Sequence, residues 1–165
     1  MMQYQTSESI VAAIESNHAA LMSSSRSLPN VEFHSSPAIR WMITDIPFPL
    51  FNAIVGARLS PGEVDETVQT IIASAKARKV PLLWWITPST EPGDLGTRLE
   101  RHGFAFSGDA PGMALDLARL PEVGPLPAGF SIQVADQTTL EQTIQITVDG
   151  FGMPGFVTEP FEAWI

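Results

Sequence analysis

The chain has 165 residues, of which 44% are hydrophobic and 16% are charged, a composition typical of a globular protein rather than a disordered one. Eighteen acidic residues against nine basic ones give a net charge of −9, which repels phosphate, so we expect neither nucleic-acid nor membrane partners. Cysteine is absent, which excludes disulfide and thiolate chemistry and favours a reducing compartment. We therefore expect a cytoplasmic protein.

The first predicted element is an amphipathic helix. Apolar residues recur at helical spacing from Ile10 to Met22, and the serine-rich run Ser23–Ser27 ends the pattern. His18 lies on the apolar stripe. A histidine in such a place packs more often than it catalyses, so we interpret His18 as a packing residue.

Three strands are predicted to follow this helix. Short apolar runs bounded by proline and turn residues are typical of strands, and they occur at 31–34, 38–44 and 50–59. Two prolines fix the backbone of the loop Asp45–Pro49, which separates the second strand from the third.

The best-defined helix is predicted over Ser60–Lys79. Ser60 is the expected cap, Pro61 stands at the first helical position, and Glu63 completes a capping box. The run Val80–Ile86 is apolar at almost every position, which indicates a strand buried on both faces. A strand, a helix and a strand in this order predict a crossover between two parallel strands.

A shorter helix is predicted from Leu95 to His102, ended by Gly103, and two strands at 104–107 and 113–117 would form a hairpin after it. The histidines of the chain show no metal-ligand spacing, so we expect no metal site. The fold class predicted is α/β (α+β). Its sheet would be mixed, twisted and mostly antiparallel, with a central parallel pair and helices on both faces.

The composition changes after this first domain, which we place at residues 1–120. Residues 121–129 contain three prolines and two glycines, as linkers do. Beyond the linker, Phe130–Val134 alternates like a strand, and a helix capped by Asp136 ends at Gly150. Because so short a segment cannot bury a core of its own, we expect residues 130–165 to be the start of a second domain that has been cut short.

The element order over residues 8–118 resembles the GNAT (N-acetyltransferase) superfamily. The second segment is similar to the first strand and helix of another such domain, and it reads FSIQVADQTTLEQTIQITVDGFGMP. Tandem arrangements are known in that superfamily, and their C-terminal half is usually the catalytic one. The resemblance therefore implies a GNAT-like fold here, with catalysis in a C-terminal half.

The coenzyme-binding loop of the family is incomplete in this chain. Catalytic members carry Gln/Arg-x-x-Gly-x-Gly/Ala, whose N–H groups bind the pyrophosphate of coenzyme A at a helix N-terminus. Here the loop starts at Arg58, Gly62 is its single glycine, and Pro61 removes a donor. Glu63, Asp65 and Glu66 add negative charge that opposes phosphate. We expect no acetyl-CoA-binding residue in this chain.

A second family pattern, Asn-x-x-Ala-x-x-Leu-Tyr-x-x-x-Gly-Phe, keeps its packing residues only, and two residues instead of three precede its Gly-Phe pair here. These are Gly96, Leu99, Gly103 and Phe104. Gly93 replaces the asparagine, and Glu100 replaces the tyrosine that often protonates the leaving thiolate. A carboxylate is ionised at neutral pH and is a poor acid, so we expect no catalytic residue in this chain.

The resemblance implies that the parent protein transfers acetyl from acetyl-CoA to a small-molecule or peptide amine, and that this chain is its non-catalytic N-terminal half. The alternative is a non-catalytic module that binds a ligand or a partner protein, or that dimerises. Whether the protein forms a homodimer is left open by the sequence.

One candidate ligand cleft remains, where the central strands of the family separate. Aromatic rings with hydroxyl groups beside them can hold a small ligand. The candidate residues are Asn52, Trp85, Thr87, Ser89 and Thr90. The alternative is that Trp85 and its neighbour Trp84 belong to the core and that Ser89 and Thr90 cap the next helix.

Overall fold

The computed structural model describes residues 7–27, 30–120, 122 and 124–162. The chain forms two compact units, Met1–Met113 and Ala114–Ile165. In the first unit the helices and strands are, in order, α1 (Ser7–Ser24), β1 (Glu32–Ser35), β2 (Arg40–Ile43), β3 (Ala53–Val55), α2 (Val64–Arg78), β4 (Leu83–Trp84) and α3 (Leu95–Arg101). Those in the second unit are α4 (Leu140–Gly150) and α5 (Thr158–Glu162).

The first unit is built on a mixed four-stranded sheet with the order β1-β2-β3-β4. β1 pairs antiparallel with β2, β2 pairs antiparallel with β3, and β3 pairs parallel with β4. The helix α2 makes the crossover that a parallel pair requires. The predicted mixed α/β fold is confirmed. The parallel pair was predicted to be central, but it lies at one edge of the described sheet because no described strand pairs with the outer side of β4.

The main core lies between one face of the sheet and the helices α2 and α3. Trp41, Ile43 and Ile54 alternate along β2 and β3 and are buried on this face. The apolar stripe of α2 packs against them because its residues recur at helical spacing; it consists of Val64, Val68, Ile71 and Ala75. Leu95 and Leu99 of α3 complete the cluster.

The other face of the sheet is covered by α1. Met42, Ala53 and Val55 alternate with the core residues and are also buried. The ring of His18, on α1, contacts the ring of Trp85 edge-on, with 5.1 Å between ring centroids. Because Trp84 belongs to the main core, the alternation of side chains puts Trp85 on the opposite face. Helices therefore cover both faces, as predicted.

The start of α2 differs from the predicted capping box. The helix begins at Val64, and residues 61–63 form a turn before it. The Ser60 N–H donates to Glu63 Oε2 at 3.1 Å, which is half of a capping box. The other half is missing, because the Ser60 hydroxyl donates to the same carboxylate instead of accepting from the Glu63 N–H.

Two predicted pairings do not form. Residues 104–107 and 113–116 are not in strands, and Phe106 and Met113 are 76% and 85% exposed. The intervening stretch 107–112 contains proline and two glycines, which are poor strand formers. The predicted strand at 130–134 is also absent, because none of the described residues pairs with it.

In the second unit the predicted helix α4 is confirmed. The Asp136 carboxylate accepts from the N–H groups of Thr138 and Thr139, immediately before the helix. Ile144 and Val148 on one side of α4 are fully buried, as is Val157, which follows α4 in a short 3-10 helix. Among the described residues, no helix is both long and apolar enough to cross a membrane.

Candidate functional site

The parallel strands β3 and β4 separate at their carboxyl ends. The Trp85 N–H donates to the Ile54 carbonyl at 2.9 Å, and the next such bond joins the Glu91 N–H to the Ala57 carbonyl at 2.9 Å. Between these two hydrogen bonds the segment after β4 runs from residue 85 to residue 91, whereas the segment after β3 runs only from residue 54 to residue 57. Residues 86–90 therefore leave the sheet, and they open a gap where open α/β sheets commonly bind ligands.

A bulge in the chain that follows β3 shapes the floor of this gap. Arg40 pairs with Val55, yet the next backbone bond joins the Arg58 N–H to the Ala38 carbonyl at 2.7 Å. Two residues on one side thus oppose three on the other, as at a β-bulge. Gly56 takes the extra position with a φ of +62°, in the left-handed region that favours glycine.

A pocket of about 240 Å³ lies between α1 and this part of the sheet. Its polar and charged lining includes Glu15 and His18 of α1, Arg40 of β2, Arg58 after β3, and Thr87 and Ser89 after β4. Small apolar side chains line the rest, among them Ala12, Ala19 and Val55. The site combines an apolar wall with a few charged groups, as small-molecule pockets do.

Glu15 ties α1 to the segment that leaves the sheet. The Ser89 N–H donates to Glu15 Oε1 at 3.2 Å, and the Ser89 hydroxyl donates to Oε2. Burial alone would raise the pKa of Glu15, but hydrogen bonds from Ser89 and Thr87 and the charge of Arg58 outweigh burial, so the pKa lies below its ordinary value. Glu15 is therefore a carboxylate at neutral pH.

The two arginines of the pocket differ in their partners. Arg58 Nη2 lies 4.0 Å from Glu15 Oε2, so its charge is balanced nearby. The Arg40 side chain has no ion pair or hydrogen bond with any described residue. Its Nη1 atom lies 3.6 Å from the position that a β-carbon on Gly56 would take, so the guanidinium group lies beside the floor of the pocket.

His18 is the fourth ionisable group of the pocket. Burial lowers the pKa of His18 below its ordinary value, because a half-buried imidazole loses hydration when it is charged. His18 is therefore neutral at pH 7. With Glu15 negative and two arginines positive, the formal charge of the pocket is about +1.

A depressed histidine pKa makes stability depend on pH. Between the folded pKa of His18 and about pH 6.5 the unfolded chain binds the extra proton and the folded chain does not. The contribution of His18 to the free energy of unfolding should therefore be fully present above about pH 6.5. It should be lost as the pH decreases from about 6.5 to the folded pKa. His18→Gln should remove this part of the dependence. Urea unfolding of both proteins between pH 5 and 8 checks this, and parallel pH profiles would contradict it.

The structure brings some of the predicted cleft residues together. Thr87 and Ser89 line the pocket, and Trp85 supports its wall through the contact with His18. Thr90 lies behind the lining, where its hydroxyl accepts from the Thr87 N–H at 2.8 Å. Asn52 lies elsewhere: it is fully buried before the amino end of β3 and bonds to residues 44–48.

The alternative interpretation is that Trp84 and Trp85 are core residues and that Ser89 and Thr90 cap the next helix. It holds for Trp84 only. Trp84 belongs to the core, with 9% of its surface exposed. Ser89 and Thr90 do not cap α3, because that helix begins at Leu95 and is preceded by a turn around Asp94.

Sequence reasoning missed Glu15, Arg40 and Gly56. Two signals were present. Glu15 and His18 are three residues apart on one helix, so they share a face. Gly56 interrupts an otherwise apolar strand pattern, which indicates a bulge. Arg40 carried no signal of its own, because a charged residue at the start of a strand is ordinarily solvated.

Several backbone N–H groups at and before the turn that precedes α2 already have hydrogen-bond partners. The N–H groups of Arg58 and Leu59 donate to carbonyls of neighbouring segments, at 2.7 and 3.0 Å. The Ser60 N–H donates to the Glu63 carboxylate, and the Glu63 N–H donates to the Ser60 carbonyl at 3.0 Å. The pKa of Glu63 is lowered by the Ser60 hydrogen bonds, so the turn carries a negative charge.

Comparisons with known proteins do not place the chain in a family. No family model, no curated protein and no solved structure matches it. Among the described residues, no group of three or more histidine, aspartate or glutamate side chains is arranged to hold a metal ion.

Proposed function

We propose that the first unit holds a small ligand in the pocket between α1 and the carboxyl ends of β3 and β4, and that it does not itself transfer acyl groups. In the wider proposal it is the non-catalytic half of a tandem GNAT-type N-acetyltransferase. A second domain of that protein would move acetyl from acetyl-CoA to an amine.

The observation that carries the binding proposal is the separation of the two parallel strands. It opens a pocket in which three titratable side chains from α1 and β2 face Arg58, Thr87 and Ser89. The five-residue excursion 86–90 and the bulge at Gly56 both contribute to this opening. The main core lies on the other face of the sheet, and the bulge places Ala57 and Leu59 in it.

Two features argue against acyl transfer by this unit. The lowered pKa of Glu15 makes it a weak base, whereas a general base works best with a pKa near the operating pH. At the turn before α2, the N–H groups of Ser60 and Glu63 are already bonded, and Pro61 has none to offer. A pyrophosphate would have to displace these bonds and approach the Glu63 carboxylate.

The GNAT part of the proposal is supported by the order of elements. A helix, two antiparallel strands, a third strand, a crossover helix, a parallel strand and a short helix follow one another in that order. The two closing strands that the resemblance also implies are absent from the described residues. Gly103 has a φ of +92° and ends the short helix, and Phe104 packs on Trp84 with 5.9 Å between ring centroids.

Acetyl-CoA binding to the 165-residue chain tests the proposal. We expect no rise in melting temperature with acetyl-CoA in a thermal-shift assay, because a ligand stabilises a protein only when it binds the folded state. A concentration-dependent rise of several degrees would contradict it.

The second candidate function is a free-standing binding module with no catalytic partner domain. Exposed apolar residues in the second unit favour this reading; Phe130, Ile132 and Val134 are 73%, 83% and 93% exposed. The continuation of the reading frame distinguishes the two. A further GNAT domain with a glycine-rich loop would support the acyltransferase, and its absence would support the module.

A further inference from the structure

We propose that the pocket recognises a small monocarboxylate with a short apolar body, and that Arg40 binds the carboxylate. This inference rests on the proposed ligand-binding function and specifies the chemical class of the ligand. It follows from the charge balance of the lining, from a guanidinium group whose donors no described residue uses, and from the apolar residues around it.

The charge balance of the pocket favours a ligand with a single negative charge. Glu15 offsets Arg58, from which it is separated by 4.0 Å, and His18 is neutral. The remaining charge is that of Arg40. A monoanion would bring the pocket to neutrality, whereas a phosphate dianion would leave an excess negative charge beside the Glu15 carboxylate.

The donors of Arg40 match a carboxylate. Guanidinium presents parallel N–H groups that bind both oxygens of a carboxylate, and such charge-assisted pairs are stronger than neutral hydrogen bonds. No described residue uses the Arg40 side chain as a donor, although it lines the pocket and is only partly exposed. The Arg58 side chain also makes no hydrogen bond with a described residue, but its charge is offset by Glu15, whose Oε2 lies 4.0 Å from Arg58 Nη2.

The rest of the lining fixes the size and polarity of the ligand. Ala12 and Ala19 on α1 and Val55 on β3 provide small apolar surfaces. The volume of about 240 Å³ is below the range that drug-sized ligands occupy. A short aliphatic chain attached to one carboxylate suits this space.

Butyrate and its neutral amide, butyramide, form a matched pair of probes. We expect butyrate, titrated into the ¹⁵N-labelled chain at constant ionic strength, to shift the amide signals of Gly56, Thr87 and Ser89. Butyramide should bind at least about tenfold more weakly, which corresponds to ~1.4 kcal/mol. Inorganic phosphate serves as a third probe and should not compete with butyrate.

Arg40→Gln should weaken butyrate binding about tenfold or more, and Arg40→Lys should fall between this variant and the parent, because it keeps the charge and loses the paired donors. Lys76→Gln is the control: it removes one positive charge from α2, away from the pocket. It should change the affinity less than twofold. Well-dispersed spectra of each variant show that it is folded.

Four results would overturn the inference. The first two are equal affinity for butyramide and butyrate, and unchanged affinity in both Arg40 variants. Either would show that the pocket binds ligands without recognising a carboxylate, and the proposed binding function would stand. Tighter binding of phosphate at the same signals would assign another anion class. No shift at the pocket with any probe would count against the inference and the binding function together.

Discussion

Asn52→Ala should lower the free energy of unfolding by about 2–3 kcal/mol, because it leaves the buried Thr44 N–H without a partner and removes one of two hydrogen bonds at each of the Ile46 and Phe48 carbonyls. Asn52 Oδ1 accepts from the Thr44 N–H at 2.8 Å, and its Nδ2 donates to the carbonyls of Ile46 and Phe48 at 2.8 and 3.0 Å. The side chain is fully buried, so water does not readily replace it. Urea denaturation measures the loss.

The control for this change is Asn17→Ala, an exposed asparagine on α1. It should change the stability by less than about 0.5 kcal/mol, since surface substitutions rarely do more. Asn52→Asp should be at least as damaging as the alanine variant, because it turns a donor toward two carbonyls into a charged acceptor. A loss below about 1 kcal/mol for Asn52→Ala would show that the network does not hold the loop 44–51.

Gly56→Ala should cost about 1–2 kcal/mol of stability, because its backbone lies at a φ of +62° that L-residues avoid. Crowding is not the cause: the nearest atom to the added β-carbon would be Arg40 Nη1 at 3.6 Å, an ordinary contact. The bulge before Arg58 should shift as the strain relaxes. Urea denaturation together with the amide shifts of residues 54–58 checks both effects.

Gly62→Ala is the matched control, since no atom lies within 4 Å of its added β-carbon and its φ is not positive. It should leave stability within about 0.5 kcal/mol of the parent. If Gly56→Ala were as stable as Gly62→Ala, the left-handed bulge would not be the native conformation of residue 56.

Helical periodicity in the sequence accounts for the part of the core that α2 contributes. The stripe Val64, Val68, Ile71 and Ala75 follows the helical repeat, and all four residues are buried. The strand-helix-strand order likewise predicted the parallel pair, because such a connection leaves few alternatives. These features depend on local pattern, which a single sequence records directly.

The pocket could not be predicted in the same way. Glu15, Arg40 and Arg58 come from three elements far apart in the chain, and each would be an ordinary solvated residue if its element stood alone. What brings them together is the departure of residues 86–90 from the sheet and one extra residue at Gly56. Both are details of pairing that hydrophobic periodicity does not record.

The wrong strand predictions share a physical cause. Residues 104–107 and 130–134 have strand-like composition, but a strand is stable only when another strand or a packed surface covers it. Phe106 and Val134 are instead 76% and 93% exposed. Composition predicts the preference of a segment and not the presence of its partner.

Binding of ligands between α1 and the separated ends of β3 and β4 can be tested by a fragment screen of the ¹⁵N-labelled 165-residue chain, which assumes no ligand chemistry. We expect amide shifts from binding fragments to cluster on residues 55–58 and 86–90. Shifts that cluster instead on the groove beside Lys76 and Arg101, or on the turn before α2, would contradict it.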